Sequence, residues 1–237
     1  MDIILIPGLW LDASSWDEVV PLLQQEGART HALTLPGMRA SDTDRADVTL
    51  KDHVNAVVAV IDSLDPAGQV VLVGHSAGGA IAYAAVDARP DRVQRVIYVG
   101  GFPVGDGDSL APGFAAENGE VPLPDWTAFD EEELAGLDKE ALSYFRQRAL
   151  PSPERVTRDA QRLFDTRRYG VPATVICTEF SADTLREWIK QGDEAVQEFT
   201  KIRTVEYADL PTGHWPQFSR PQQLAEAILR ASLRPAS

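Results

Sequence analysis

The chain has 237 residues, 44% hydrophobic and 24% charged, and its 36 acidic against 22 basic side chains give a formal charge of −14. That length and usage suit one globular domain whose core needs neither metal nor disulfide, and they exclude a disordered chain. So acidic a surface repels nucleic-acid phosphates and anionic membranes and favours neutral or cationic small molecules as partners. A lone cysteine, Cys177, rules out an internal disulfide and fits a reducing compartment. The apolar run at 3–6 is far too short for a signal sequence, and no stretch approaches the roughly 18 apolar residues of a membrane span. The expectation is a cytoplasmic protein, with its oligomeric state left open.

Short β-branched runs alternate with longer helical patterns along the chain. Residues 3–6 read as a strand. Ser15-Trp16-Asp17-Glu18 then has the spacing of a capping box, and Pro21 predicts a kinked or short helix after it. A strand at 30–35 precedes an amphipathic helix with Val54, Val57, Val58 and Ile61 on one stripe. Next come a strand at 70–73, a small-residue helix at 77–88 able to pack closely on a sheet, and a strand at 96–99. Residues 101–169 break the rhythm, with Gly and Pro first, then helix at 131–150 and 154–164, and no strand. Strands at 174–177 and 204–207 follow, then a helix with Leu224, Ala227, Ile228 and Ala231 on its stripe. Alternation of this kind implies right-handed crossovers and an α/β, doubly wound, mostly parallel sheet. The whole chain reads as one such domain, 1–237, with 101–169 inserted as a helical lid.

The segment Val70-Val71-Leu72-Val73-Gly74-His75-Ser76-Ala77-Gly78-Gly79 carries the most chemical information. A buried strand enters Gly-x-Ser-x-Gly and a small-residue helix leaves it, the setting of a nucleophile elbow. Ser76 would sit on a strained turn, with Gly74 and Gly78 avoiding collisions and the Ala77 N–H facing a developing oxyanion. A serine nucleophile needs a base. His31 lies in a strand pattern and His53 on a helix, both read as structural, and His75 should point away on a tight elbow. His214, in Pro211-Thr212-Gly213-His214-Trp215-Pro216, follows the last strand and should emerge at the same sheet edge as Ser76. The acid that orients the imidazole should leave the sheet between Ser76 and His214. Glu179, first past its strand, is the leading candidate, with Asp183 and Asp106 as alternatives. A second oxyanion donor is expected from the Leu9 N–H in Ile6-Pro7-Gly8-Leu9-Trp10, one such donor being worth about 3 kcal/mol in the transition state. Trp10, Phe102, Trp215 and Phe218 flank these loops as candidates for an apolar substrate pocket, or simply as core.

Together these residues resemble the α/β-hydrolase superfamily, in particular its compact branch of plant methylesterases, hydroxynitrile lyases and small bacterial esterases. The resemblance covers nearly the whole chain. Its markers are Pro7-Gly8-Leu9-Trp10 with Trp16, Leu35-Pro36-Gly37, Gly74-His75-Ser76-Ala77-Gly78-Gly79 and Gly213-His214-Trp215. It implies an eight-stranded core, two of whose early strands are not located above, and hydrolysis of ester or related bonds without a cofactor. Many relatives show His-Gly where this chain has Pro7-Gly8, which leaves the backbone donor intact. Where relatives carry Glu-Asp after the penultimate strand, this chain reads Glu179-Phe180, so the triad acid shifts or comes from elsewhere. The branch's lyases resemble one another in a lysine directly after the catalytic histidine, where Trp215 stands here; that argues against cyanohydrin cleavage.

The leading expectation is a serine hydrolase that cleaves a small hydrophobic carboxylic ester, thioester or lactone through an acyl-enzyme on Ser76, with His214 as general base. Cofactor-free lyase or oxygenase chemistry by the His–acid pair, and a non-catalytic small-molecule receptor, are the competing readings. No zinc spacing, Walker loop or dinucleotide fingerprint occurs, so neither metal nor nucleotide is expected.

Overall fold

The structure, a computed structural model, describes residues 1–234. It runs β1 (Asp2–Ile6), α1 (Val20–Gln25), β2 (Arg29–Ala32), α2 (Leu50–Ser63), β3 (Val70–His75), α3 (Ala77–Ala88), β4 (Val93–Val99), β5 (Glu120–Val121), α4 (Lys139–Arg148), β6 (Ser152–Pro153), α5 (Glu154–Arg158), β7 (Ala173–Cys177), α6 (Ala182–Gln191), β8 (Val205–Asp209), α7 (Pro216–Ser219) and α8 (Pro221–Ser232). Six strands form one sheet in the order β2-β1-β3-β4-β7-β8, every neighbouring pair parallel. The all-apolar runs explain the order. β1, β3 and β7 are buried along their whole length, as strands covered by helices on both faces must be, whereas β2 and β8 form the half-exposed edges. Side chains alternate between two layers: Ile4, Ile6 and Leu72 pack with Val57 of α2, Ile81 of α3 and Leu185 of α6. Ile3, Leu5, Val71 and Val73 pack with Leu23 of α1 and Leu224 and Ile228 of α8.

Several local expectations change. Residues 33–35 have left the strand expected over 30–35, and the described residues contain no further early strands of the main sheet. Ser15 does not cap α1: its hydroxyl donates to the Asp12 carbonyl at 2.8 Å, because Asp12 itself caps a preceding 3-10 turn over Ala13–Trp16. Pro21 falls in the first turn of α1, where a missing N–H forfeits no helical bond, so no kink results. A reciprocal capping box does form at α2, between Thr49 and Asp52.

The segment 101–169 differs most. β5 and β6 pair antiparallel within it, Glu120 opposite Pro153 and Val121 opposite Ser152, which corrects the expectation of no strand. The helix expected over 131–150 exists as α4 alone, opened by the Asp138 carboxylate. α5 stops at Arg158 instead of reaching 164, and two distant carboxylates take amides beyond it. Asp106 accepts from the Leu163 N–H at 2.9 Å and Asp87 from the Phe164 N–H at 2.9 Å. An aromatic cluster docks this segment on the carboxyl edge of the sheet. Trp10 meets Phe114 at 5.0 Å, and Trp215 meets Phe145 at 5.2 Å and Phe129 at 5.3 Å.

His53 lies buried inside this framework. His53 donates from Nε2 to the Pro36 carbonyl at 2.8 Å, and burial, only partly offset by that bond, lowers its pKa from 6.5 to about 4. As pH falls, the unfolded chain protonates near 6.5 while the folded chain resists until about 4, so His53 contributes stability that is lost across that window. Replacing His53 with Gln should make the acid-side loss shallower by about 1.4 kcal/mol per pH unit between those values. Urea midpoints measured from pH 7 to 4 check this; an unchanged slope counts against a buried neutral imidazole.

Candidate active site

β3 ends at His75 and α3 begins at Ala77, so Ser76 alone makes the turn, at φ 52° and ψ −127°. A Cβ at Gly78 would fall 2.6 Å from the carbonyl oxygens of both Ile6 and Pro7, and one at Gly74 would strike the Gly78 carbonyl. Those positions therefore bring α3, β3 and the end of β1 together without side chains between them. The turn lifts the Ser76 hydroxyl to the sheet rim.

His214 reaches the same point from the loop after β8. Its Nε2 lies 2.8 Å from Ser76 Oγ and its Nδ1 lies 2.7 Å from Glu179 Oε1. The loop is pinned from three sides: the Gly213 and His214 N–H groups donate to the Ala135 and Glu133 carbonyls at 2.9 and 2.7 Å, and His75 Nε2 donates to the His214 carbonyl at 2.7 Å. The His75 imidazole is fully buried, and that burial, reinforced by His214 nearby, lowers its pKa to about 3, so it serves as a neutral donor. Burial resists ionisation of Glu179, but the hydrogen bond and charge of His214, with the Thr178 hydroxyl on the other oxygen, outweigh it and hold the pKa below the usual value. Asp183 is largely exposed and pairs with Arg186 at 2.7 Å, and Asp106 is occupied with the Leu163 amide. Of the three candidate acids, Glu179 is the one placed against His214. Phe180 turns away and packs between Phe102 at 5.3 Å and Trp188 at 5.4 Å.

The loop after β1 lies alongside, since a Cβ at Gly8 would be 3.0 Å from Ser76 Cβ. Among the described residues, neither the Leu9 nor the Ala77 backbone N–H donates to a protein acceptor. Ser76, Ala77 and His214 open on a cavity of about 790 Å³, walled on its apolar side by Phe102, Pro103, Val104 and Leu110. Trp10 and Trp215 do not line it; both are buried in the aromatic cluster, where Phe218 also packs. Their expected place in the pocket is corrected because other rings take them up: Trp10 packs edge-on against Phe114 and Phe129, and Trp215 against Phe129 and Phe145.

The opposite wall was not foreseen. Tyr169, Arg168, Glu198 and Lys201 line it, and Glu198, although 6% exposed, accepts from the Tyr83 hydroxyl at 2.8 Å and from Lys201 at 2.6 Å. Arg168 is paired with Asp87 at 3.0 Å. Nothing local in the sequence singles these residues out, because they come from segments far apart in the chain. No group of His, Cys, Asp or Glu among the described residues is arranged to hold a metal ion, and no described helix is long and apolar enough to cross a membrane.

A family model described as the alpha/beta hydrolase family matches residues 3–227. A pyrethroid hydrolase from Sphingobium wenxiniae is 29% identical over 258 residues, covering 99% of this chain and 89% of its own. Methylesterase 8 of Arabidopsis thaliana is 25% identical over 247 residues, covering 95% of this chain and 87% of its own. Among solved structures, an extracellular alpha/beta-hydrolase from a Paenibacillus species superposes with a TM-score of 0.79 at 21% identity, over 98% of both chains. Sheet order, elbow and these matches agree: the chain belongs to the alpha/beta hydrolase family, as a carboxylesterase-like enzyme.

Proposed function

We propose that the protein hydrolyses a small, uncharged carboxylic ester through an acyl-enzyme on Ser76. The observation that carries this reading is the pair of hydrogen bonds, 2.8 and 2.7 Å, that links Ser76, His214 and Glu179 at the floor of one cavity. Ser76 Oγ attacks the carbonyl carbon while His214 Nε2 takes its proton. Glu179 stays ionised, fixes the tautomer with the proton on Nδ1 and stabilises the imidazolium. The Leu9 and Ala77 N–H groups receive the oxyanion, the second of them at the N-terminus of α3, where the helix dipole adds to the bond. The imidazolium then protonates the departing alkoxide, and water enters by the same route to release the acid. Relatives named methylesterase and pyrethroid hydrolase support an ester as the substrate.

Charge narrows the substrate further. The cavity's two cations, Arg168 and Lys201, are already paired with Asp87 and Glu198, whereas Asp106, Asp108 and Glu194 line it without a basic partner among the described residues. An anionic substrate would meet uncompensated negative charge, so neutral esters are favoured.

A fluorophosphonate probe should label the wild type at Ser76, and Ser76→Ala or His214→Ala should lower kcat on p-nitrophenyl acetate by about 10⁴-fold or more. Turnover that survives Ser76→Ala would sink the acyl-enzyme. Glu179→Gln should lose about 10²–10⁴-fold in kcat, while Asp183→Asn and Asp106→Asn stay close to wild type; a silent Glu179→Gln would move the orienting role elsewhere. At low salt, kcat/KM for a p-nitrophenyl ester with a free carboxylate on its acyl chain should be at least about 10-fold below that of its neutral analogue. The gap should narrow as salt is raised, and equal rates would contradict the electrostatic selection.

A further inference from the structure

Trp10, directly after Leu9, has φ 65°, a left-handed conformation that strains a large side chain. Three hydrogen bonds hold it there, all from the segment that bears β5, α4 and β6. Its backbone N–H donates to Ser152 Oγ at 2.8 Å, across 142 residues of sequence. Its carbonyl accepts from the Leu150 N–H at 3.0 Å, and its indole N–H donates to the Val121 carbonyl at 3.1 Å. Val121 and Ser152 face each other across the β5–β6 pair, so two of the three bonds come from one cross-strand rung. That pair is in turn tied to the body of the domain. Arg45, itself buried, donates to the Gly37 carbonyl at 2.7 Å, the Arg39 carbonyl at 3.0 Å and Glu120 Oε1 at 3.3 Å.

The clamp acts on the oxyanion loop. Leu9 has a fixed residue on each side: Gly8, packed against His75 and Ser76, and Trp10, held by Ser152. With the Trp10 N–H consumed by Ser152, the Leu9 N–H is left without a protein acceptor among the described residues, one residue from the Gly8–Ser76 contact. We infer that Ser152 is a positioning residue for ester hydrolysis, which through the strained Trp10 backbone holds the Leu9 N–H aimed at the oxyanion. This rests on the acyl-enzyme reading above. Without the Ser152 oxygen, the Trp10 N–H is a buried donor lacking a partner, and relaxation of Trp10 out of the left-handed region turns the Leu9 peptide with it.

The test compares Ser152→Ala and Ser152→Thr with the wild type on p-nitrophenyl acetate. It adds inhibition by an aryl trifluoromethyl ketone, whose serine adduct carries the oxyanion, and a thermal melt. Ser152→Ala should lower kcat by about 10- to 100-fold with KM changed less than about twofold, and weaken the ketone by a similar factor. Ser152→Thr, which keeps the hydroxyl, should recover most of both. If Ser152→Ala does not fold, Ser152→Cys replaces it, being nearly isosteric and a poorer acceptor. Unchanged kcat and ketone affinity, or a loss confined to KM or to melting temperature, would overturn the inference. Ser76→Ala measured alongside separates the two readings: an active Ser76→Ala removes the acyl-enzyme itself, whereas an inactive one beside an unaffected Ser152→Ala removes only the positioning role.

Discussion

A serine held at φ 52° between a buried strand and the helix that leaves it is tolerable only where three backbones meet without side chains, and the site is built on that contact. Gly78 lies against the Ile6 and Pro7 carbonyls, so the same approach that exposes the Ser76 hydroxyl also brings the β1 loop to its side. The two candidate oxyanion donors, Leu9 and Ala77, thus flank the nucleophile as a consequence of how the elbow packs. The sheet order supplies the rest. The strand sequence changes direction between β1 and β3, and the carboxyl ends of β1, β3, β4, β7 and β8 deliver Leu9, Ser76, Phe102, Glu179 and His214 to one rim.

The electrostatics around Glu179 and His214 depend on partial burial. Glu179 is shielded enough for desolvation to oppose its charge, yet the bonds from His214 and Thr178 keep it ionised. Beneath it, a neutral His75 supports the His214 backbone with a hydrogen bond and adds no competing positive charge. Glu179 stands one position before Phe180, where the acid lies in the family the sequence resembles, and its side chain is one methylene longer than an aspartate. Moving Phe180 out into a stack with Phe102 and Trp188 leaves Glu179 free to reach inward.

Residues 101–169 hold two of the loops that meet at Ser76. Carbonyls of Glu133 and Ala135 hold the His214 loop on one side of Ser76, and β5–β6 holds Trp10 on the other. The aromatic cluster around Trp10, Trp215 and Phe145 fastens this segment to the sheet. Rigid support of this kind suits an enzyme whose catalytic groups must stay aligned to within a fraction of an ångström.

The chain's own pattern determined the six parallel strands, the elbow at Ser76, and the loop positions of His214 and Glu179, because each depends on local chemistry: β-branched runs, glycines at a crowded turn, a residue just past a strand. Strand ends were less legible where an edge strand is half exposed, as at 33–35, and helix ends were misread where an earlier or distant acid takes the amides, as Asp12, Asp87 and Asp106 do. Only the tertiary structure placed Glu179, and not Asp183 or Asp106, against His214, sent Trp10 and Trp215 into the core instead of the cavity, and brought Ser152, Arg168 and Glu198 to the site. Those outcomes depend on which segments, far apart in the chain, come within hydrogen-bond reach, and no periodicity or spacing within one segment carries that information.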